Sequence, residues 1–474
     1  MTSIKKNFFY NVLYQILLIV LPLITTPYIS RVLGVTNIGI YTYTYTIANY
    51  FVLAAMLGVK NYGNRKIAFV QDNPAKLNQT FWEIYDLQFI CALVSFAAYL
   101  IVMVSQDTGY RTISLLQGIY VFSSLIDISW FFFGLEKFKI TVTRNIIIRL
   151  SSLACVFLFV KDADDLWKYT LIMTTGILLS QVYLWFYLKD IVHWHRPGLR
   201  AVFLHLPSEL LLFIPVIAVS LYKMMDKIML KELSSFAQVG FYENAEKIIN
   251  IPLGVITALG TVMLPRMSNI AAKKQTKQGE LYIHHSILFA MFLACGMTFG
   301  IAGIADVFVP IFFGDAFLPC ILLMKVMTPT ILFIAWANVI RTQYLIPNQK
   351  DRIYIVSVIL GAVCNLLINL ALIPHYEALG AVIGTIAAEG IVCIYQTYMV
   401  RKNLPIQHYL KDMLPFVFLG GGMYALIRCL CLLPLPSVAR LILMIGIGGI
   451  VYSLLSAAYI FRSHPALKKN LLKK

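Results

Sequence analysis

Asp226 and Lys227 stand three and four residues after Lys223, and Lys231 four after Lys227, which on a helix sets them along one side. Glu243 and Lys247 share a side of the next apolar stretch in the same way, with Glu246 beside them. Arg149 and Glu389 stand near the middle of two further apolar runs, and Lys325 and Arg428 in the outer halves of two more. An ionised group near the centre of a bilayer costs at least about 2.5 kcal/mol, so it normally faces protein or a wet cavity rather than lipid. What such an array can do is hold an anionic group in water inside the membrane. Arg149, Lys223, Lys227 and Lys247 are the candidate cations, while Asp226, Glu246 and Glu389 would balance charge or couple to Na+ or H+. In the structural alternative, Lys227 and Lys231 snorkel to the outer interface and Asp226, Glu243 and Lys247 form internal ion pairs.

Tyr41, Tyr43 and Tyr45 alternate with Thr42, Thr44 and Thr46. Helical geometry places only Tyr41 and Tyr45 on one side, where they could stack on sugar rings or belong to an interfacial aromatic belt. Asn365 and Asn369, four apart, suit bonding between neighbouring helices. The eight cysteines all fall within apolar segments without a CxxC pair, so neither disulfides nor zinc are expected.

The elements that must position these groups are membrane helices. Of 474 residues, 59% are hydrophobic and 13% charged, against about a quarter charged in an ordinary soluble protein. Apolar stretches long enough to cross a hydrocarbon core recur along the chain. The expected spans are 8–30, 38–59, 82–104, 112–134, 141–160, 166–188, 207–230, 240–264, 284–304, 318–340, 353–374, 378–400, 413–432 and 440–461. The first is too long for a signal-peptide core and no small-residue cleavage site follows it.

With cytoplasmic N- and C-termini, the inner segments and helix ends hold 27 of the 39 Lys and Arg, from Lys5 to Lys474 and including Arg144. A bias sustained across every loop obeys the positive-inside rule, and a missed helix would have reversed it. The net charge of +17 is therefore topology, with no interleaved aromatic and basic pattern pointing to nucleic acid. The longest connections, around 189–206 and 265–283, are too short to fold as a domain. A membrane glycosyltransferase or polymerase would need such a loop, so an enzyme is not expected.

A shift of 201 residues lays Gly39-Ile40-Tyr41 on Gly240-Phe241-Tyr242, Asn49 on Asn250 and Arg65 on Arg266 without a gap. An offset of six helices keeps both copies in one orientation, a parallel repeat. The expected organisation is an N-lobe over 1–200, a C-lobe over 201–404 and two C-terminal helices over 405–474.

The stretches Asp127-Ile128-Ser129-Trp130-Phe131-Phe132-Phe133-Gly134 and Arg341-Thr342-Gln343-Tyr344-Leu345-Ile346-Pro347 resemble the Wzx-type flippases of polysaccharide biosynthesis. So do Asn365-Leu366-Leu367-Ile368-Asn369 and Gly380-Ala381-Val382-Ile383-Gly384-Thr385, closed by Glu389. That family is a branch of the superfamily of MATE drug exporters and lipid II flippases. The resemblance implies an all-α integral membrane protein of about fourteen transmembrane helices, arranged as two six-helix lobes plus two C-terminal helices in a bacterial inner membrane. Its implied cargo is an undecaprenyl-pyrophosphate-linked oligosaccharide for capsule, exopolysaccharide or O-antigen, moved to the outer leaflet by alternating access. Its implied partners are that glycan, the bilayer and other polysaccharide assembly proteins, with no cofactor.

A pyrophosphate and several sugars cannot enter hydrocarbon unaided, whereas the polyprenyl tail need never leave it. In that scheme Arg149, Lys223, Lys227 and Lys247 hold the pyrophosphate or acidic sugars, Arg428 lies beside the tail groove, and Tyr41 and Tyr45 contact sugar. The alternatives are a MATE-type cation antiporter, whose embedded carboxylates have no counterpart in the first span, and a lipid II flippase, closer in mechanism.

Overall fold

The computed structural model describes residues 2–105 and 109–463, which are helical almost throughout and contain no strand. The first nine helices are α1 (Thr2–Met56), α2 (Val59–Val70), α3 (Pro74–Val104), α4 (Arg111–Ser123), α5 (Ser129–Gly134), α6 (Phe138–Phe159), α7 (Leu166–Leu188), α8 (Leu199–Phe203) and α9 (Leu206–Leu233). There follow α10 (Phe236–Ala272), α11 (Thr276–Phe312), α12 (Cys320–Met327), α13 (Pro329–Ile340), α14 (Asp351–Val400), α15 (Ile406–Cys431) and α16 (Ser437–Ser463). Among the described residues, nine helical segments are long and apolar enough to cross a bilayer. The contacts divide the chain into two compact units, Met1–Lys231 and Glu232–Lys474.

Helix α7 occupies the span expected for it, and α6 differs by three residues at its start. Two long helices contain sharp kinks where the sequence had placed connections. In α1 the chain turns at Gly34, whose φ of 75° a residue without Cβ adopts freely. In α14 it turns at Glu377, a non-glycine residue at φ 52° and ψ −129°. That backbone is held from outside: the Glu377 carboxylate accepts from Ser234 Oγ at 3.1 Å and Gln238 Nε2 at 2.7 Å. Gln238 Oε1 in turn accepts from the Ala378 amide at 3.3 Å.

Two expected spans are broken. The stretch 112–134 is α4, a short 3-10 turn and α5, and a break inside a membrane must satisfy the carbonyls it frees. Gln88 does this from α3, donating to Ser124 O at 2.8 Å and Asp127 O at 2.9 Å while accepting from Trp130 Nε1 at 2.8 Å. Asp127 Oδ1 accepts from the Ser129 amide at 2.9 Å and starts α5. The Asp-x-Ser-Trp stretch that carried the resemblance is thus a device for breaking and re-forming a helix. The second break separates α12 from α13 at Pro329, which has no N–H to give. Beyond α13, Arg341–Leu345 form a π-helical turn.

The core of the first unit is aromatic. Phe81, Trp82, Trp130, Phe131 and Phe132 are all buried, with Phe81 edge-on to Phe131 at 4.8 Å. Tyr62 Oη is hydrogen-bonded to His205 Nδ1 at 2.6 Å, and His205 Nε2 to Glu83 Oε2 at 3.0 Å, joining α2, α3 and the turn before α9. Burial, more than the neighbouring charges, holds the Tyr62 phenol above its usual range. In the second unit α11, α15 and α16 meet through glycines. A Cβ on Gly420 would fall 2.3 Å from the Phe299 ring and one on Gly296 2.8 Å from Tyr452, so these sites admit little but glycine. All eight cysteines are free.

Candidate functional site

Within the first unit, a cavity of ≈ 480 Å³ opens between α1, α6 and α7. Three of the residues singled out from sequence, Tyr41, Tyr45 and Arg149, line it together. The tyrosines come from the second arm of α1, whose direction is set by the turn at Gly34. Being four apart, they stack at 6.0 Å with an 11° tilt. Tyr169 of α7 meets Tyr41 edge-on at 4.8 Å, and Tyr120 of α4 stacks on Tyr45 at 5.3 Å. Tyr120 Oη donates to Asn49 Oδ1 at 2.8 Å, which anchors the aromatic wall from behind. Tyr43 lies on the other face, edge-on to Tyr110 with the Lys231 ammonium over both rings.

The cation side of the cavity contains a residue that sequence reasoning did not single out for it. Arg144, counted among inner helix-end charges, is only 5% exposed. Its guanidinium donates to Ser180 O at 3.3 Å, Gln181 Oε1 at 3.2 Å and Asn145 Oδ1 at 2.9 Å. These three partners are neutral dipoles that hold the guanidinium plane in place. Asn145, Gln181, Ser152 and Ser180 line the cavity beside it. Arg149 is a turn and a half further along α6 and exposed. The arrangement is a pocket with a guanidinium wall, an amide and hydroxyl floor and an aromatic side. Chemically it suits an anionic group carrying a planar-faced, hydroxyl-rich body.

The other expected site residues do not line this cavity. On α9 of the first unit, Asp226 is buried, Lys227 half-buried and Lys223 exposed. In the second unit Lys247 pairs with Glu243 at 3.2 Å along α10, the internal pairing that was the structural alternative. Glu246 and Glu389 are half-buried. Arg428 of α15 meets Asp306 of α11, which also binds Lys325 of α12. Asp306 was missed because span nine was expected to stop at residue 304, whereas α11 runs on to Phe312. Asn369 Nδ2 donates to Asn365 Oδ1 at 3.1 Å; both are fully buried against the close crossing at Gly384.

The family described as "Polysaccharide biosynthesis protein" matches residues 4–271. A putative O-antigen transporter of Escherichia coli (strain K12) is 23% identical over 408 residues, 85% of this chain and 97% of that one. A probable low-salt glycan biosynthesis flippase of Haloferax volcanii is 21% identical over 252 residues, 50% of each chain. Among solved structures, the lipid II flippase MurJ in an inward closed conformation is similar with a TM-score of 0.75 at 14% identity, over 96% of this chain and 99% of that one. A MATE structure in complex with MaD3S is similar with a TM-score of 0.55 at 12% identity, over 86% and 96%. At these identities the structural likeness is one of fold, a multi-pass, all-α membrane architecture.

Proposed function

Because the chain belongs to the polysaccharide biosynthesis protein family, which matches more than half of it, we propose that it is a flippase for undecaprenyl-pyrophosphate-linked oligosaccharide. It moves the headgroup from the cytoplasmic to the outer leaflet of a bacterial inner membrane by alternating access, with both termini cytoplasmic. The observation that carries this reading is the cavity of the first unit, where Arg144, Arg149, Tyr41 and Tyr45 meet among amides and hydroxyls. A pyrophosphate in hydrocarbon is prohibitively costly, and guanidinium donors replace its water with fixed charge-assisted hydrogen bonds. Tyrosine faces supply the sugar rings with contact that is tolerant of sequence in the glycan.

Arg149 is assigned to the pyrophosphate or to acidic sugars, with Arg144 fixing the field around it. Lys223 and Lys227 supply further positive charge, Lys247 adds no net charge while paired with Glu243, and Arg428 borders the path of the tail. Asp226, Glu246 and Glu389 balance those cations or couple transport to Na+ or H+. No covalent bond is made or broken: the chain is a transporter and not an enzyme. The glycan, the bilayer and other polysaccharide assembly proteins are its partners.

The test is translocation of defined lipid-linked glycans in proteoliposomes, with and without ion gradients. Arg149→Gln and Lys223→Gln, correctly inserted, are expected to slow translocation at least tenfold. Wild-type rates in both would remove the basis of the assignment.

A further inference from the structure

Where α14 hands over to α15, the second unit contains a groove of ≈ 1080 Å³ bordered by α11, α13 and the ends of those two helices. Its walls are apolar and aromatic, among them Phe333, Trp336, Ile394 and Leu410, while Arg401, Lys402 and Lys411 stand along it. Ile394 is 67% exposed, so the trough continues into an open apolar surface. The Arg401 guanidinium lies over the Tyr398 ring at 3.4 Å from its centroid, a stacking that leaves its in-plane N–H donors available.

The charge here is uncompensated. Among the described residues no ion pair neutralises Arg401, Lys402 or Lys411. Asp412, next to Lys411, is already engaged by His284 Nε2 at 2.7 Å and His408 Nε2 at 3.4 Å. Three exposed cations, Arg401 stacked on Tyr398, beside a long apolar trough call for a ligand that is anionic at one end and greasy over the rest. A small phosphate would leave the trough empty, and a neutral lipid would leave the cations unmatched. Basic pockets between membrane helices recognise anionic lipid headgroups on the same principle.

We propose that this groove is a binding site for an anionic glycerophospholipid of the surrounding bilayer, its phosphate held by Arg401, Lys402 and Lys411 and an acyl chain lying against Ile394, Phe333 and Leu410. The site stands independently of the transport reading. It would tie the α14–α15 connection to the leaflet in which it sits, through a lipid rather than through protein contacts.

Trp336 provides a reporter, fixed in the wall by its Nε1 donating to Thr397 Oγ1 at 2.8 Å. Full-length protein in neutral detergent is titrated with phosphatidylglycerol carrying brominated acyl chains, which quench tryptophan emission on contact. The five other tryptophans supply a common background; a saturable component above it is expected that Trp336→Phe removes and that brominated phosphatidylethanolamine gives far more weakly. Each charge near a membrane surface is worth about 1 kcal/mol, about fivefold in affinity. The triple variant Arg401→Gln, Lys402→Gln, Lys411→Gln therefore shifts the midpoint on the order of a hundredfold, with an unchanged melting temperature in the absence of lipid as the folding control. Equal quenching by the two lipids, an unshifted midpoint in the folded triple variant, or full competition by glycerol phosphate alone would each overturn the proposal. Should the triple variant fail to fold, Arg401→Gln alone must still weaken binding about fivefold.

Discussion

The Lys325 ammonium lies 2.7 and 2.8 Å from the two carboxylate oxygens of Asp306, and Arg428 bonds the same carboxylate from a third helix. One anion thus serves two cations across α11, α12 and α15. Removing it leaves two partly buried positive charges facing each other, whereas removing one cation leaves a balanced pair. Asp306→Asn is expected to destabilise by about 1.5–3 kcal/mol, the worth of charged hydrogen bonds. Lys325→Met is expected to cost less and to recover part of the loss when combined with Asp306→Asn. Thermal unfolding of the four proteins in one detergent closes the cycle; additive effects would show that the triad is not coupled.

Arg144 and Arg149 predict opposite responses to lysine. Arg144 divides its donors among a backbone carbonyl and two side-chain amides from α6 and α7, a task that needs the planar fork of a guanidinium. Arg144→Lys is expected to reduce translocation about as much as Arg144→Gln, while Arg149→Lys keeps most of the wild-type rate because a point charge suffices for a mobile anion. Equal tolerance of lysine at both positions would remove the distinction between positioning and contact.

These two arginines also show where the sequence was legible. Spacing identified Tyr41 and Tyr45 as neighbours, since 3.6 residues per turn leaves no other outcome, and a guanidinium in mid-span singled out Arg149, which lines the same cavity. What local pattern does not contain is which helices touch. Nothing in the α6 sequence says that Ser180 and Gln181 of α7 lie opposite Arg144, so it read as one more inner charge. The kinks at Gly34 and Glu377 were legible as connections between apolar runs. The break at Ile128 was not, because its freed carbonyls are satisfied by Gln88, some 40 residues earlier, and the apolar residues resume directly after it. Asp306 was hidden because the expected span was ended at residue 304, whereas the apolar run resumes at Val307 and α11 continues to Phe312.

The crossing of the two arms of α14 is set by Gly384. A Cβ there would fall 2.1 Å from Asn369 Oδ1, inside any tolerable contact, and Asn369 is buried and bonded to Asn365. Gly384→Ala is expected to destabilise by about 1–3 kcal/mol, the usual range for overpacking, and to lower the yield of folded protein in the membrane. Gly421→Ala and Gly422→Ala serve as controls, because nothing lies within 4 Å of a Cβ at either position. Equal losses at all three would mean that helix flexibility, and not the crossing distance, is what glycine provides.

Tyr45 stands between Tyr41 and Tyr120, stacked on both, and its ring is the middle of the aromatic wall. Aromatic pairs contribute about 0.5–1.5 kcal/mol beyond their area, so Tyr45→Ala weakens the wall as well as any sugar contact. Tyr45→Phe keeps the stack and loses only the hydroxyl. If the wall acts on sugar, Tyr45→Ala raises the concentration of lipid-linked oligosaccharide needed for half-maximal translocation several-fold, while Tyr45→Phe stays within about twofold. A carrier lipid bearing pyrophosphate but no sugar supplies the contrast: its translocation should respond to Arg149→Gln and not to Tyr45→Ala. Were the sugar-free lipid as sensitive to Tyr45→Ala as the glycan-bearing one, the tyrosines would be shaping the cavity for the phosphate and not reading the glycan.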